Sequence, residues 1–455
     1  MTAGTSTATS FWAPQGLLPE GVRRRVRLRV EDGRIREVAV GVDPGPGDVV
    51  LEGLVRPGFA NAHSHAFHRA LRGRTHADGG TFWSWRERMY EVAATLEPDS
   101  YLALARAVFA EMVLAGYTVV GEFHYLHHGP GGVPYADPNA MGHALLDAAH
   151  EAGIRITLLD TVYLAGGLSA AGHELLDEVQ RRFSDGSVGQ WAERVADLDS
   201  GPTARHGAAI HSVRAVPREQ LGEVARHARG GLGHPAAGAA PLHLHLSEQP
   251  AENASCEQFY GMSPTALLEA EGVLGETTTA VHATHLTGAD VDALGRARAY
   301  ACLCPTTERD LADGIGPARA LADAGARLCI GSDQHAVVDP FEEVRAVELH
   351  ERLESRERGR FALGSLDAIG SEHGYASLGW PNGGTLREGG LADFVTVRLD
   401  SARTAGAEPG QVLFAAAAAD VSDVVVDGRQ VVTRGTHVLG DVGALLADAI
   451  ETVSA

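Results

Sequence analysis

The chain contains no lysine, so all 38 of its Lys-or-Arg positions are arginine. That absence excludes a protein-bound Schiff base and a phosphate loop built on a lysine. It also excludes a two-metal site bridged by a carboxylated lysine. Cysteine is scarce: Cys256, Cys302, Cys304 and Cys329 are the four in 455 residues. Four are too few for a disulfide framework, and buried free thiols are expected. No run approaches the roughly 18 uninterrupted apolar residues of a membrane span. Residues 1–11 lack both the basic start and the apolar core of a secretory signal, so the expected location is the cytoplasm. Positive charge is also in deficit, with 59 acidic residues and a formal net charge of −21. Neither nucleic acid nor an anionic membrane is therefore an expected partner.

What is present is enough apolar residue, 44% of the chain, to bury a large core. Both chain ends read as short strands: 22–30 and 35–40 around the Asp32-Gly33 hairpin signal, then 394–397, 424–426 and 431–432 around Asp427-Gly428. Between them, apolar runs at 54–60, 118–122, 154–159, 208–211, 242–246, 280–282, 299–304 and 327–331 alternate with Ala/Leu-rich helical stretches. Such β-then-α units predict an α/β fold, a (β/α)8 TIM-like barrel. The expected division is a barrel over 55–385 and a small composite β-sandwich domain formed by 1–54 and 386–455. The stretch 230–240 is expected to be a loop.

Four of these runs end in metal-binding side chains. The motif PGFANAHSH at 57–65 places His63 and His65 two residues apart, on one side of a strand. The strand at 242–246 carries His243 and His245, with Glu248 three residues further on. The next ends at His282, with His285 beyond, and 327–331 leads to Asp333. A catalytic zinc site needs three or four N/O ligands and an open position. Any one of these residues alone could be a hydrogen-bonded core group; the series of four strand ends is what points to a metal.

The segments PGFANAHSH, HLSEQ, VHATHLT and GSDQHA together resemble the metal-site motifs of the deaminases of the amidohydrolase superfamily. The resemblance implies one zinc per chain, held by His63, His65, His245 and Asp333. It places Glu248 and His282 beside the hydrolytic water and leaves His243 and His285 as packed neighbours. Within that group the segments HSHAFHR (63–69), FWSWRERMY (82–90), GEFHY (121–125), IHSVR (210–214) and CPTTERDL (304–311) resemble formimidoylglutamate deiminases. That likeness implies a small-molecule dicarboxylate substrate gripped by Arg86 and Arg214, with His68, Tyr125 and His211 also in contact, and a homodimer. Arginine suits this use because its fork meets a carboxylate in a bidentate way. Arg69, Arg72, Arg74 and Arg88 are expected instead in surface salt bridges. One departure stands out: His68 occupies a position where that family usually has glutamine, and it offers a single donor or acceptor at each ring nitrogen where an amide offers a pair. Two rivals remain: a deaminase of an aminated heterocycle, walled by Trp83 and Trp85, and a barrel that binds without catalysis.

Overall fold

Buried strands with apolar side chains on both faces form the centre of the molecule. A computed structural model describes residues 8–76, 80–198, 200–234 and 238–454, and of Phe82 and Trp83 the backbone alone. Eight parallel strands follow one another in chain order around a barrel: β1 (Phe59–Ser64), β2 (Tyr117–His124), β3 (Arg155–Val162), β4 (Ala204–Ile210), β5 (Leu242–Leu246), β6 (Thr278–His282), β7 (Tyr300–Leu303) and β8 (Arg327–Ile330). Helices fill the connections, among them Pro98–Ala115, Ala140–Ala152, Arg218–Arg229 and Gly288–Arg296. Every residue of β2, β3, β5, β6 and β7 is buried, as parallel strands between a barrel core and a helical jacket must be.

The barrel closes where the candidate metal ligands lie. Ser64 and Asp333 form a parallel bridge, with His65 N donating to Asp333 O (3.1 Å) and Asp333 N to His63 O (3.0 Å). Gly331 permits this approach: a Cβ there would stand 2.8 Å from both the Cβ and the carbonyl oxygen of His63.

The two chain ends share one sheet of nine strands. Leu54–Pro57 joins them, running parallel to Thr9–Leu18 and antiparallel to Phe394–Val397. This sheet encloses its own core, in which Phe11 meets Phe394 edge to face at 5.1 Å. The sequence run 54–60, expected as one strand, is thus two elements. Leu54–Pro57 stays with the terminal sheet and Phe59 opens the barrel, with Gly58 between them packed against Thr118. The strand Thr9–Leu18 escaped the sequence reading because its small and polar residues dilute the apolar alternation. Of the loop expected at 230–240, residues 235–237 lie outside the described residues. All four cysteines are buried and unpaired.

Arg155, at the start of β3, ties the barrel to the terminal sheet. Its buried guanidinium donates to Asp393 Oδ2 (2.6 Å), Asp427 Oδ1 (2.7 Å) and Pro202 O (3.0 Å). Asp393→Ala is expected to destabilise the fold by about 3 kcal/mol, toward the lower end of the range for breaking a buried pair, because Asp427 still faces the cation. Chemical denaturation reads this directly, and a loss below about 1 kcal/mol would place the pair in the weak class of exposed salt bridges.

Candidate active site

The strand ends converge as barrel geometry requires, at the mouth into which the C-terminal ends of the strands open. His63, His65, His245 and Asp333 are all buried, and one ligand atom from each falls within 4.8 Å of the others. His245 Nε2 lies 3.2 Å from His63 Nε2 and 3.3 Å from His65 Nε2. Asp333 Oδ1 is 3.2 and 3.4 Å from the same atoms of His63 and His65. The remote ring nitrogens explain why the His65–His245 contact is not a hydrogen bond. His65 Nδ1 donates to Phe123 O (3.0 Å) and His245 Nδ1 to His211 O (2.8 Å). A carbonyl only accepts, so each Nδ1 carries the proton and each Nε2 presents a lone pair. Burial first, and neighbouring imidazoles next, hold both rings well below the usual histidine range and therefore neutral. Two lone pairs facing one another at 3.3 Å suit a cation between them. Ligand atoms that would each bond an ion at about 2.0–2.1 Å lie roughly 3–3.5 Å apart, which is the spacing seen.

Two further groups stand beside this cluster. His282 Nε2 is 3.7 Å from Glu248 Oε1, and its Nδ1 is 3.5 Å from Glu308 Oε1. Burial opposes a charge on His282, but the Glu248 carboxylate, followed by Glu308 and Asp333, raises it to about 10, so it is an imidazolium. Burial raises Glu248, with His282 pulling it back. Asp333 goes the other way: burial would raise it, yet its bond to His63 and the charge of His282 hold it well below the carboxylate range. The backbones of His282 (φ +66°) and Asp333 (φ +44°) are left-handed, a conformation that costs about 1–3 kcal/mol without glycine and that recurs at functional sites.

A cleft of about 560 Å³ opens on this group, lined also by His68, Trp85, Arg86, Tyr125, His211 and Arg214. The structure therefore brings the five expected substrate-contacting residues to one cavity with the metal cluster. His68 Nε2 bonds Tyr125 Oη (2.9 Å), while its buried Nδ1 has no partner. Burial lowers His68 to about 3, so the ring is neutral. Arg86 donates through Nε (2.9 Å) and Nη2 (2.6 Å) to Tyr90 Oη. Arg214 donates through Nε to Glu252 Oε2 (3.1 Å). The His211 ring packs on Tyr163 at 4.5 Å between centroids. Trp85 is buried with its ring 5.1 Å from His68; the side chain of Trp83 lies outside the described residues.

His243 turns away from the cleft, its Nε2 bonded to Ser377 O at 3.1 Å. Arg69 and Arg72 share Glu111, and Arg88 pairs with Glu91. Arg74 departs from the salt bridge expected of it and donates to the Ser454 hydroxyl at 2.6 Å. A second buried cluster, His124, His127 and Asp160, also has ligand-like spacing. Both Asp160 oxygens already accept from Arg194 (2.9 and 2.7 Å), which makes it a structural network. Sequence reasoning assigned no role to Glu308, Glu252 or Tyr90. Tyr90 and Glu308 lie inside the quoted segments 82–90 and 304–311, where an acid opening a helix after a strand was the available signal for Glu308. Glu252 gave none.

Comparison with known proteins agrees with this geometry. Residues 54–431 match the model of the amidohydrolase family. A formimidoylglutamate deiminase of Pseudomonas aeruginosa is 36% identical over 447 residues, covering 94% of this chain and 96% of its own. The crystal structure of an amidohydrolase from Brucella melitensis superposes with a TM-score of 0.89 at 34% identity, over 98% of this chain and 100% of that one. An adenosine deaminase from Xanthomonas campestris with bound zinc shares the fold, with a TM-score of 0.81 at 23% identity and 98% coverage of each chain. The chain belongs to the amidohydrolase family and is a hydrolase acting on C–N bonds.

Proposed function

We propose that this hydrolase deiminates N-formimidoyl-L-glutamate, giving N-formyl-L-glutamate and ammonia as a step of histidine degradation. The observation that carries the reading is the presence of Arg86 and Arg214 in the same cleft as the metal cluster, Glu248 and His282. Two fixed cations beside a hydrolytic centre suit a substrate with two carboxylates. They suit a neutral purine or triazine ring poorly. The likeness to the Pseudomonas deiminase supports the same substrate.

Zinc is the proposed cofactor, because three imidazoles and a carboxylate form a donor set that it favours. Bound by His63, His65, His245 and Asp333, it supplies Lewis acidity and a water acidified to a pKa of about 7. Asp333, kept ionised by its histidine neighbours, takes the proton lost as water adds to the formimidoyl carbon. His282, held cationic between Glu248 and Glu308, donates toward the tetrahedral centre and offsets its developing charge. Glu248 carries a proton to the terminal nitrogen, the carbon–nitrogen bond to that atom breaks, and ammonia leaves. The atoms balance: one water enters, and one N–H group of the amidine departs as ammonia. His68 Nδ1, without a protein partner, offers a hydrogen bond to a ligand in the cleft.

Elemental analysis is expected to find about one zinc per chain, since the sequence has no lysine to bridge two metals and, among the described residues, one set of four clustered ligands is found. Two tightly held metals, both needed for activity, would contradict this. The function itself is tested by adding N-formimidoyl-L-glutamate to the zinc-loaded protein. Ammonia and N-formyl-L-glutamate are expected in equal amounts. No release from this compound, with release from guanine, would replace the reading with that of a heterocycle deaminase.

A further inference from the structure

We propose that Tyr90, anchored by Gln180, is a positioning residue that aims the Arg86 fork at a substrate carboxylate and thereby sets selectivity for a dicarboxylate. The inference rests on the function proposed above. Arg86 and Tyr90 lie one turn apart on the helix Phe82–Thr95, the spacing at which helical side chains meet. Two guanidinium donors, Nε and Nη2, converge on the Tyr90 oxygen at 2.9 and 2.6 Å. One edge of the planar fork is thus fixed. The phenol oxygen is itself held from behind, because Gln180 Nε2 donates to it at 3.1 Å.

The orientation of the Gln180 amide is not a free choice. Its Oε1 accepts from Asp177 N at 2.9 Å, and a backbone N–H can only donate. The amide NH2 must therefore face the phenols, where it also reaches Tyr163 Oη (3.2 Å) and Gly166 O (2.9 Å). Gln180 is 3% exposed, so its amide is sheltered from water, while Tyr90 is partly exposed. The result is a rigid chain, Asp177–Gln180–Tyr90–Arg86, running from a loop to the cleft.

The two arginines are consequently prepared in different ways. Arg214 meets a carboxylate, Glu252, which cancels much of its charge. At Tyr90 the partner of Arg86 is a phenol, which fixes the direction of its fork, and Tyr163 adds to this. Both arginines line the metal cleft and the adjoining cleft of about 720 Å³, where an extended anion would lie. The chain Asp177–Gln180–Tyr90 holds the Arg86 fork toward that space.

The test is a double-mutant cycle on zinc-loaded enzyme. The readout is the ratio of kcat/KM for N-formimidoyl-L-glutamate to kcat/KM for its two monoamides, N-formimidoyl-L-glutamine and N-formimidoyl-L-isoglutamine. Tyr90→Phe keeps the ring and removes the oxygen. It is expected to lower one of the two ratios about tenfold, as loss of a hydrogen bond to a charged group should. In Arg86→Met the same ratio falls further, and Tyr90→Phe adds less than about twofold on top of it. Gln180→Met, which leaves the phenol in place but unanchored, is expected to shift that ratio in the same direction. A structural role for Tyr90 would lower stability or zinc content and leave both ratios alone. Wild-type ratios in folded Tyr90→Phe and Gln180→Met, with a loss in Arg86→Met, overturn the positioning role and leave the dicarboxylate reading standing. Wild-type ratios in Arg86→Met overturn both.

Discussion

Glu248→Gln is expected to keep its zinc and to lose roughly 10²–10⁴-fold in kcat, the range of a general acid–base step. Glutamine matches glutamate in size, and Glu248 is not among the four clustered ligand residues. The metal should therefore remain. What disappears is twofold. The amide cannot pass a proton to the departing nitrogen, and its neutral oxygen cannot hold His282 as an imidazolium. Glu248 is the principal attraction that keeps His282 charged against the cost of burial. Both losses fall on the transition state, so kcat should fall with little change in KM. Stopped-assay ammonia release beside zinc analysis of the same sample checks this. Activity within tenfold of the parent at full zinc content would remove Glu248 from proton transfer.

Arg86→Met and Arg214→Met are each expected to lower kcat/KM for N-formimidoyl-L-glutamate by roughly 30-fold to several thousandfold, the equivalent of about 2–5 kcal/mol for a buried carboxylate left without its partner. The two variants should differ in stability. Arg214→Met strands Glu252, which is 2% exposed and whose other oxygen accepts from Ser247 N at 3.0 Å. An unpaired buried carboxylate destabilises the fold, so the Tm should fall as well. Arg86→Met leaves the Tyr90 phenol, which retains Gln180 as a donor. A phenol left with one donor costs less than a buried carboxylate left without its cation, so the Tm should fall less than in Arg214→Met. Surface arginines would instead show almost no rate effect. A rate within threefold of the parent in both variants would make the cleft arginines incidental.

The barrel was legible in the sequence because parallel strands buried on both faces leave continuous apolar runs, as at 242–246 and 280–282. The metal cluster was legible for a related reason. Strand ends point their side chains at one mouth, so histidines and an aspartate at three such ends, those of β1, β5 and β8, had one place to meet. The strand Thr9–Leu18 was not legible, because six of its ten residues are partly exposed and Thr9, Ser10, Pro14 and Gln15 among them break the apolar alternation. The break at Gly58 was overlooked for another reason: Leu54, Val55, Phe59 and Ala60 read as one apolar run around Arg56 and the Pro57-Gly58 pair, and tertiary pairing divides it between two sheets. The partners of the functional residues were the least visible. Glu308 touches His282 from 26 positions along the chain, and Gln180 reaches Tyr90 across 90. Pairings of this kind are set by the closed barrel and leave no local pattern. His68 was flagged as a departure from a family habit, and its bond to Tyr125 supplies a physical setting for it.

The central claim is that the cleft selects a dicarboxylate amidine over an aminated ring. The most direct test compares kcat/KM for N-formimidoyl-L-glutamate and guanine on one zinc-loaded preparation, with ammonia as the common readout. A fixed arginine pair should favour the dicarboxylate by at least about 10³-fold, because each buried carboxylate–arginine contact contributes roughly 2–5 kcal/mol that guanine cannot recover. A ratio near one, or a preference for guanine, would contradict the account.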